Sequence, residues 1–129
     1  MIARVETVDG VAEVDLDEEV VLGLEAGETL TPPAPVAVSL PRVVASAAAG
    51  STVVAVVDTK PPLMVSHDGG CTWRESGRGL PAGRAVALAD DDPDVVLFAA
   101  RNRLYLSADG GRFWRALAIE LPEIVAAEL

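Results

Sequence analysis

The residues able to do chemistry in this chain are few. His67 and Cys71 are the single histidine and the single cysteine, four residues apart with Asp68 beside the histidine. A thiol and an imidazole can form a nucleophilic pair, but the imidazole then needs a third group to orient it. A zinc site needs three or four protein ligands, and no further His or Cys exists. Tyr105, the one tyrosine, lies within the apolar run Leu104-Tyr105-Leu106, where a packing role is the ordinary one. The acidic run Asp90-Asp91-Asp92-Pro93-Asp94 lacks the alternating ligands and distant glutamate of a calcium loop, and is expected to be a solvated turn. Phosphate-binding glycine motifs and a basic or aromatic nucleic-acid platform are absent from the sequence. The expectation is a chain with no catalytic, metal-binding or cofactor-binding residue.

The histidine and cysteine belong to something larger. Ser66-His67-Asp68-Gly69-Gly70-Cys71-Thr72-Trp73 is followed 41 residues later by Ser107-Ala108-Asp109-Gly110-Gly111-Arg112-Phe113-Trp114. The second copy has Ala108 and Arg112 where the first has His67 and Cys71, so those two positions are free turn positions. Each octet follows a short apolar run and must reverse the chain. An aspartate does this by accepting hydrogen bonds from backbone N–H groups further on. The glycines supply the positive φ that other residues reach only at a cost. Trp73 and Trp114 then offer large rings to bury between sheets.

These octets resemble the Asp-box, the repeat of bacterial neuraminidases and of many other β-propellers. Ser66, Asp68, Gly70, Thr72 and Trp73 match it in the first copy, and Ser107, Asp109, Gly111, Phe113 and Trp114 in the second. The surrounding repeats also look like those of sortilin-type receptors and photosystem II assembly factors. The resemblance implies a propeller blade with a structural aspartate. It does not bring the neuraminidase arginine cluster or tyrosine nucleophile with it.

A second marker gives the same period. Leu-Pro occurs at Leu40-Pro41, Leu80-Pro81 and Leu121-Pro122, each just ahead of a Val- or Ala-rich run. Four short antiparallel strands in ~40 residues describe one blade. Residues 42–81 and 82–122 fit that plan, with a turn expected over Asp90–Asp94 in the second. Residues 1–41 are expected to be a degenerate blade. Its strands would run over 2–8, 11–16, 20–24 and 36–40, the last being an edge strand after the break Thr31-Pro32-Pro33-Ala34-Pro35. A worn octet, Gly23-Leu24-Glu25-Ala26-Gly27-Glu28-Thr29-Leu30, would follow the third strand. An extra inner strand is expected within 123–129.

The fold class expected is therefore all-β: about three four-stranded antiparallel propeller blades in a single domain, 1–129. Propellers typically close with ~4–8 blades, so three leave open flanks and unpaired edges. Two copies head to tail, with Ile124, Val125 and Leu129 buried as a latch on the partner's first blade, would close a ring. A larger heteromeric complex capped by this chain is the second solution, and a compact sandwich with a different N-terminal fold is the third.

Composition narrows the function. The net charge of −10 argues against nucleic acid or an anionic membrane surface as partner. Residues 1–31 carry nine acids and one base, so the charge is concentrated in the first quarter. One cysteine requires no oxidising compartment, no stretch approaches a membrane span, and the N-terminus does not look like a signal peptide. A cytoplasmic protein, without membrane insertion, is the expectation. The function expected is that of a non-catalytic structural, assembly or accessory subunit acting through protein–protein contact. The alternative is a small-ligand or glycan-binding module using the pore of an assembled ring, against which the scarcity of aromatic residues counts.

Overall fold

The structure, a computed structural model, describes residues 1–31, 36 and 38–129. Twelve strands and no helix occur among them. Three four-stranded antiparallel sheets use all twelve.

Sheet 2 is β4 (Val43–Ala49), β5 (Thr52–Val57), β6 (Leu63–Ser66) and β7 (Arg74–Ser76), paired in that order. Sheet 3 is β8 (Ala85–Ala89), β9 (Asp92–Ala99), β10 (Leu104–Ser107) and β11 (Arg115–Ala116), again paired in order. Both match the expected repeat units. The turn in sheet 3 is shorter than expected: Asp92 and Pro93 already belong to β9, and a register shift at Leu88/Ala89 accommodates them.

Sheet 1 differs. Its strands are β1 (Ile2–Thr7), β2 (Gly10–Asp15), β3 (Val20–Glu25) and, from the other end of the chain, β12 (Ile124–Glu128). The order is β12-β1-β2-β3, with Val5 opposite Ala127 and Arg4 opposite Glu128. This corrects two expectations. The C-terminal strand has a place in its own chain's sheet, so it is not a latch onto a partner's blade. The N-terminal strands are the second, third and fourth of their sheet rather than the first three. The strand expected over 36–40 lies partly outside the described residues, and Val36, Val38, Ser39 and Leu40 are not in a strand.

Sheet 3 lies between the other two. Its successive side chains point to opposite faces, as a pleated strand requires. Val86, Leu88, Val96 and Phe98 pack with Val54, Val56, Leu63 and Val65 of sheet 2. Ala85, Ala87, Leu97 and Ala99 pack with Ala3, Val5, Ala12 and Val14 of sheet 1. A sheet buried on both faces has no use for polar alternation, which is why β8 and the end of β9 are continuously apolar. Sheet 1 buries chiefly the face toward sheet 3, and β1 alternates accordingly: Ala3 and Val5 are buried, whereas Ile2 and Arg4 are exposed; on the other face Val11, opposite Glu6, is buried as well.

The innermost strands β4, β8 and β12 surround a hollow of about 450 Å³, lined by Ser46–Ala48, Val86–Leu88 and Ala127–Leu129 together with Val36 and Asp90. Each Leu-Pro pair thus precedes the innermost strand of a sheet. Packing against Phe98 is tight: a Cβ on Gly83 would stand 2.3 Å from the Phe98 ring.

Candidate functional site

Both octets fold into the same corner. Ser66 Oγ donates to Asp68 Oδ1 (2.7 Å) and accepts from the backbone N–H of Gly70 (2.8 Å). Asp68 Oδ1 also accepts from the Thr72 N–H (2.9 Å), and Oδ2 accepts from the Thr72 hydroxyl (2.5 Å). In the second corner Ser107 Oγ donates to Asp109 Oδ1 (2.7 Å) and accepts from Gly111 N–H (2.9 Å). Asp109 Oδ1 accepts from the N–H groups of Arg112 (3.1 Å) and Phe113 (3.0 Å). Gly69, Gly70, Gly110 and Gly111 all take positive φ, between 72° and 93°. A non-glycine residue at any of them is strained.

Hydrogen bonds to the charged form stabilise a carboxylate and lower its pKa. The Thr72 hydroxyl, ahead of the Thr72 amide and the Ser66 hydroxyl, holds Asp68 well below the ordinary carboxylate range. Asp109 is lowered too, chiefly by the Phe113 amide and then the Ser107 hydroxyl. Phe113 stands where the first corner has Thr72, so Asp109 lacks the hydroxyl bond. Both carboxylates serve the turn that holds them.

The two corners differ in what covers them. Corner 3, at the end of β10, is clasped by the outer strand of sheet 2. Arg74 Nη2 donates to the Gly110 carbonyl (2.8 Å), and the Ser76 hydroxyl donates to the Gly111 carbonyl. The Trp114 indole N–H is shared between the Gly111 carbonyl (3.1 Å) and Ser76 Oγ (3.2 Å). Its ring meets Phe98 edge-on, with centroids 6.1 Å apart. A Cβ on Gly111 would come within 3.2 Å of Ser76 Oγ.

Corner 2, at the end of β6, borders corner 3 through His67, whose Cε1 would stand 3.4 Å from a Cβ on Gly110, but no strand clasps its own glycines. Among the described residues nothing donates to the Gly69 or Gly70 carbonyls, and the Trp73 indole N–H has no acceptor. A Cβ on Gly69 would meet nothing within 4 Å, and one on Gly70 only the ring of Trp73 itself. The inner part of the same face is filled: Val53, Ala55 and Val57 are buried, and Leu40, Pro41 and Arg42 lie beside Val57 and Met64.

The equivalent corner of sheet 1 is the β2–β3 turn. There Asp15 Oδ1 accepts from the N–H groups of Asp17 (3.0 Å) and Glu18 (3.1 Å). Glu19 then reaches sheet 3, accepting from the Ala118 N–H (2.7 Å) and Arg115 Nη1 (2.8 Å). The worn octet assigned to Gly23–Leu30 is therefore misplaced, because residues 20–25 are the outermost strand β3 and not the strand that feeds a corner. Leu30 instead folds back, its N–H donating to Glu6 Oε1 (2.9 Å). Sequence comparison with the octet could not find Asp15, since no Ser, Gly pair or Trp accompanies it.

The remaining candidates are dispersed. His67 Nδ1 lies 3.4 Å from Thr52 Oγ1, while Cys71 is exposed on the turn. Tyr105 packs on Phe98, with ring centroids 5.9 Å apart. Ile124 is fully buried in its own chain's core, Leu129 packs partly against that core, and Val125 is 52% exposed on the opposite side of β12. No group of three or more His, Cys, Asp or Glu residues is placed to hold a metal among the described residues. Nor is any described helix long and apolar enough to cross a membrane.

The class these observations define is an all-β, propeller-like assembly of three four-stranded blades. Comparison with known proteins agrees at the level of fold. No family model and no curated protein sequence matches the chain. Among solved structures, it is similar to a GH74 enzyme from Niastella koreensis, with a TM-score of 0.54 and 19% identity. The match covers 97% of this chain and 19% of the enzyme, so the chain spans about a fifth of that protein's length.

Proposed function

We propose that this chain is a non-catalytic accessory or assembly subunit, which docks the open corner of sheet 2 against another protein. The observation that supports this is the contrast between the twin corners. One is clasped by a strand that supplies a guanidinium, a hydroxyl and an indole acceptor; the other presents the same carbonyls and the same indole without them. The partner surface fitting corner 2 is thus a strand with an Arg and a Ser or Thr two residues apart, as β7 carries them.

A foreign partner fits better than a second copy. The face of sheet 1 turned away from sheet 3 would have to meet corner 2 in a head-to-tail ring, and that face carries Arg4, with Glu13 opposite it on β2 and Glu128 opposite it on β12. Burying such charges costs more than their attraction returns unless every one is paired. The C-terminal strand β12 is also accommodated in its own chain's sheet, beside β1. The glycan-binding alternative finds less support, because the hollow between the inner strands is lined by small aliphatic and acidic residues and by no described aromatic ring.

The test compares a partner recovered with the native protein against Trp73→Ala and Trp114→Ala variants. Trp73→Ala should release the partner, with a lower melting temperature because the ring is half-buried, and Trp73→Phe should weaken binding with the melting temperature nearly unchanged. Full retention by a folded Trp73→Ala variant would refute the proposal. Quenching of tryptophan fluorescence by oligosaccharides would favour the glycan alternative.

A further inference from the structure

The three outer strands end their sheets in very different ways. β7 is three residues, Arg74-Glu75-Ser76, and β11 is two, Arg115-Ala116. Short, charged edges of this kind discourage pairing with other chains. β3 has six residues, Val20-Val21-Leu22-Gly23-Leu24-Glu25, and all six are exposed. Val20 is 45%, Val21 42%, Leu22 56% and Leu24 47% accessible. The strand is paired on its β2 side alone, so its other side offers an unpaired ladder of N–H and C=O groups. From Val20 to Leu24 it carries no charge and no proline, the two residue types that ordinarily blunt an edge. A register shift opposite Glu13/Val14 is the one irregularity in it.

Charge says what such an edge would accept. Asp17, Glu18 and Glu19 precede β3, and Glu25 and Glu28 stand at its end and just beyond. Glu19 is already engaged by Arg115, which leaves acids at both ends of the strand. Two copies pairing antiparallel through β3 would bring the acidic start of one against the acidic end of the other, and like charges placed opposite each other destabilise a sheet.

We infer that β3 is a β-augmentation site for an extended segment of another protein, one with a β-branched or apolar centre of about five residues and Lys or Arg at both ends. Main-chain hydrogen bonds along the open edge bind the segment. The acids around Glu18 and Glu25 select its ends, and the accessible faces of Leu22 and Leu24 meet its central side chains. This site uses none of the residues of corner 2 and stands apart from the docking proposed there.

A labelled peptide with a Val-Thr-Val-Thr-Val centre and two lysines at each end is the probe, titrated into the whole chain by fluorescence anisotropy. Saturable binding is expected, weakening as salt rises. It should be at least about ten-fold weaker for the Leu22→Lys/Leu24→Lys variant, and equally weakened when glutamates replace the peptide's lysines. Backbone N-methylation along one edge of the peptide should abolish binding, a control that leaves the protein untouched. Amide exchange at residues 20–25 should slow in the complex, and Trp73→Ala should bind the peptide normally. Absence of binding overturns the inference, as does equal binding of the glutamate peptide or unchanged exchange at 20–25. A dimer by light scattering that dissociates in the Leu22→Lys/Leu24→Lys variant would also overturn it, by assigning the edge to a second copy.

Discussion

Replacing Ile124 with alanine tests how sheet 1 is closed. Ile124 is fully buried within a core cluster that includes Val5, Val14 and Leu97 of sheets 1 and 3. Its backbone N–H donates to the Arg101 carbonyl (2.7 Å), which fixes the strand's entry, so the side chain cannot readily move to fill a hole. Deleting three buried carbons from such a site typically costs ~2–5 kcal/mol, the transfer term plus a cavity term. A domain of this size has about 5–15 kcal/mol in total. With roughly 4 °C of melting temperature per kcal/mol, a fall of about 8–20 °C is expected. Val125, the next residue, is 52% exposed, and Val125→Ala should change stability by no more than about 0.5 kcal/mol. The assay is thermal unfolding by circular dichroism at two protein concentrations a hundred-fold apart. Because β12 pairs within its own chain, the loss in Ile124→Ala should not depend on concentration. Equal effects of the two substitutions, or a concentration-dependent loss, would refute the intramolecular closure.

Acid stability should report the corners. Asp68 and Asp109 both have depressed pKa values in the folded chain, so the stability they add is present above the ordinary value of 3.8 and is lost as pH falls below it. Unfolding in denaturant from pH 6 down to pH 2 should show a steeper acid loss for the native chain than for Asp68→Asn, with Asp109→Asn intermediate; identical pH profiles would contradict the hydrogen-bond pattern. Gly83→Ala places a methyl group against Phe98 and Val56 and should destabilise by ~1–3 kcal/mol, measured by denaturant midpoint. Trp114→Phe removes the shared indole bond to Gly111 and Ser76 and should cost about 1 kcal/mol, whereas Trp73→Phe should be nearly silent in the isolated chain. The far-ultraviolet spectrum should lack helical minima, as expected for sheets alone.

Residues 42–122 were legible in the sequence because three signals coincide there. The octets fix where the third strand ends, the Leu-Pro pairs fix where the first begins, and the β-branched run Thr52–Val57 marks a buried second strand. The first sheet was harder for a topological reason. Its innermost strand is the last in the chain, so counting strands from Met1 shifts every assignment by one, and the search for an octet then falls on β3 instead of on the β2–β3 turn. Leu121-Pro122 did carry the correction, since it stands before β12 just as Leu40-Pro41 stands before β4. The open corner at Trp73 was not legible. Five of its eight residues are the same as those at Trp114, the two glycines among them, and only the relative placement of the sheets separates a covered carbonyl from an uncovered one.

The pairing of β1 with β12 joins residues about 120 positions apart. During synthesis at ~5–20 residues per second, the β1–β2 hairpin waits several seconds for the strand that completes its sheet. Through that interval β1 is itself an open edge, and Ala3 and Val5 lack the sheet 3 surface that later covers them. Sheets 2 and 3 have all their strands within residues 43–116 and can form from local contacts, which are quick to find. The order of folding is thus set against the order of emergence: the first strands made are among the last secured. A nascent chain halted shortly before Ile124 should present an N-terminal segment still open to protease beside two sheets already protected.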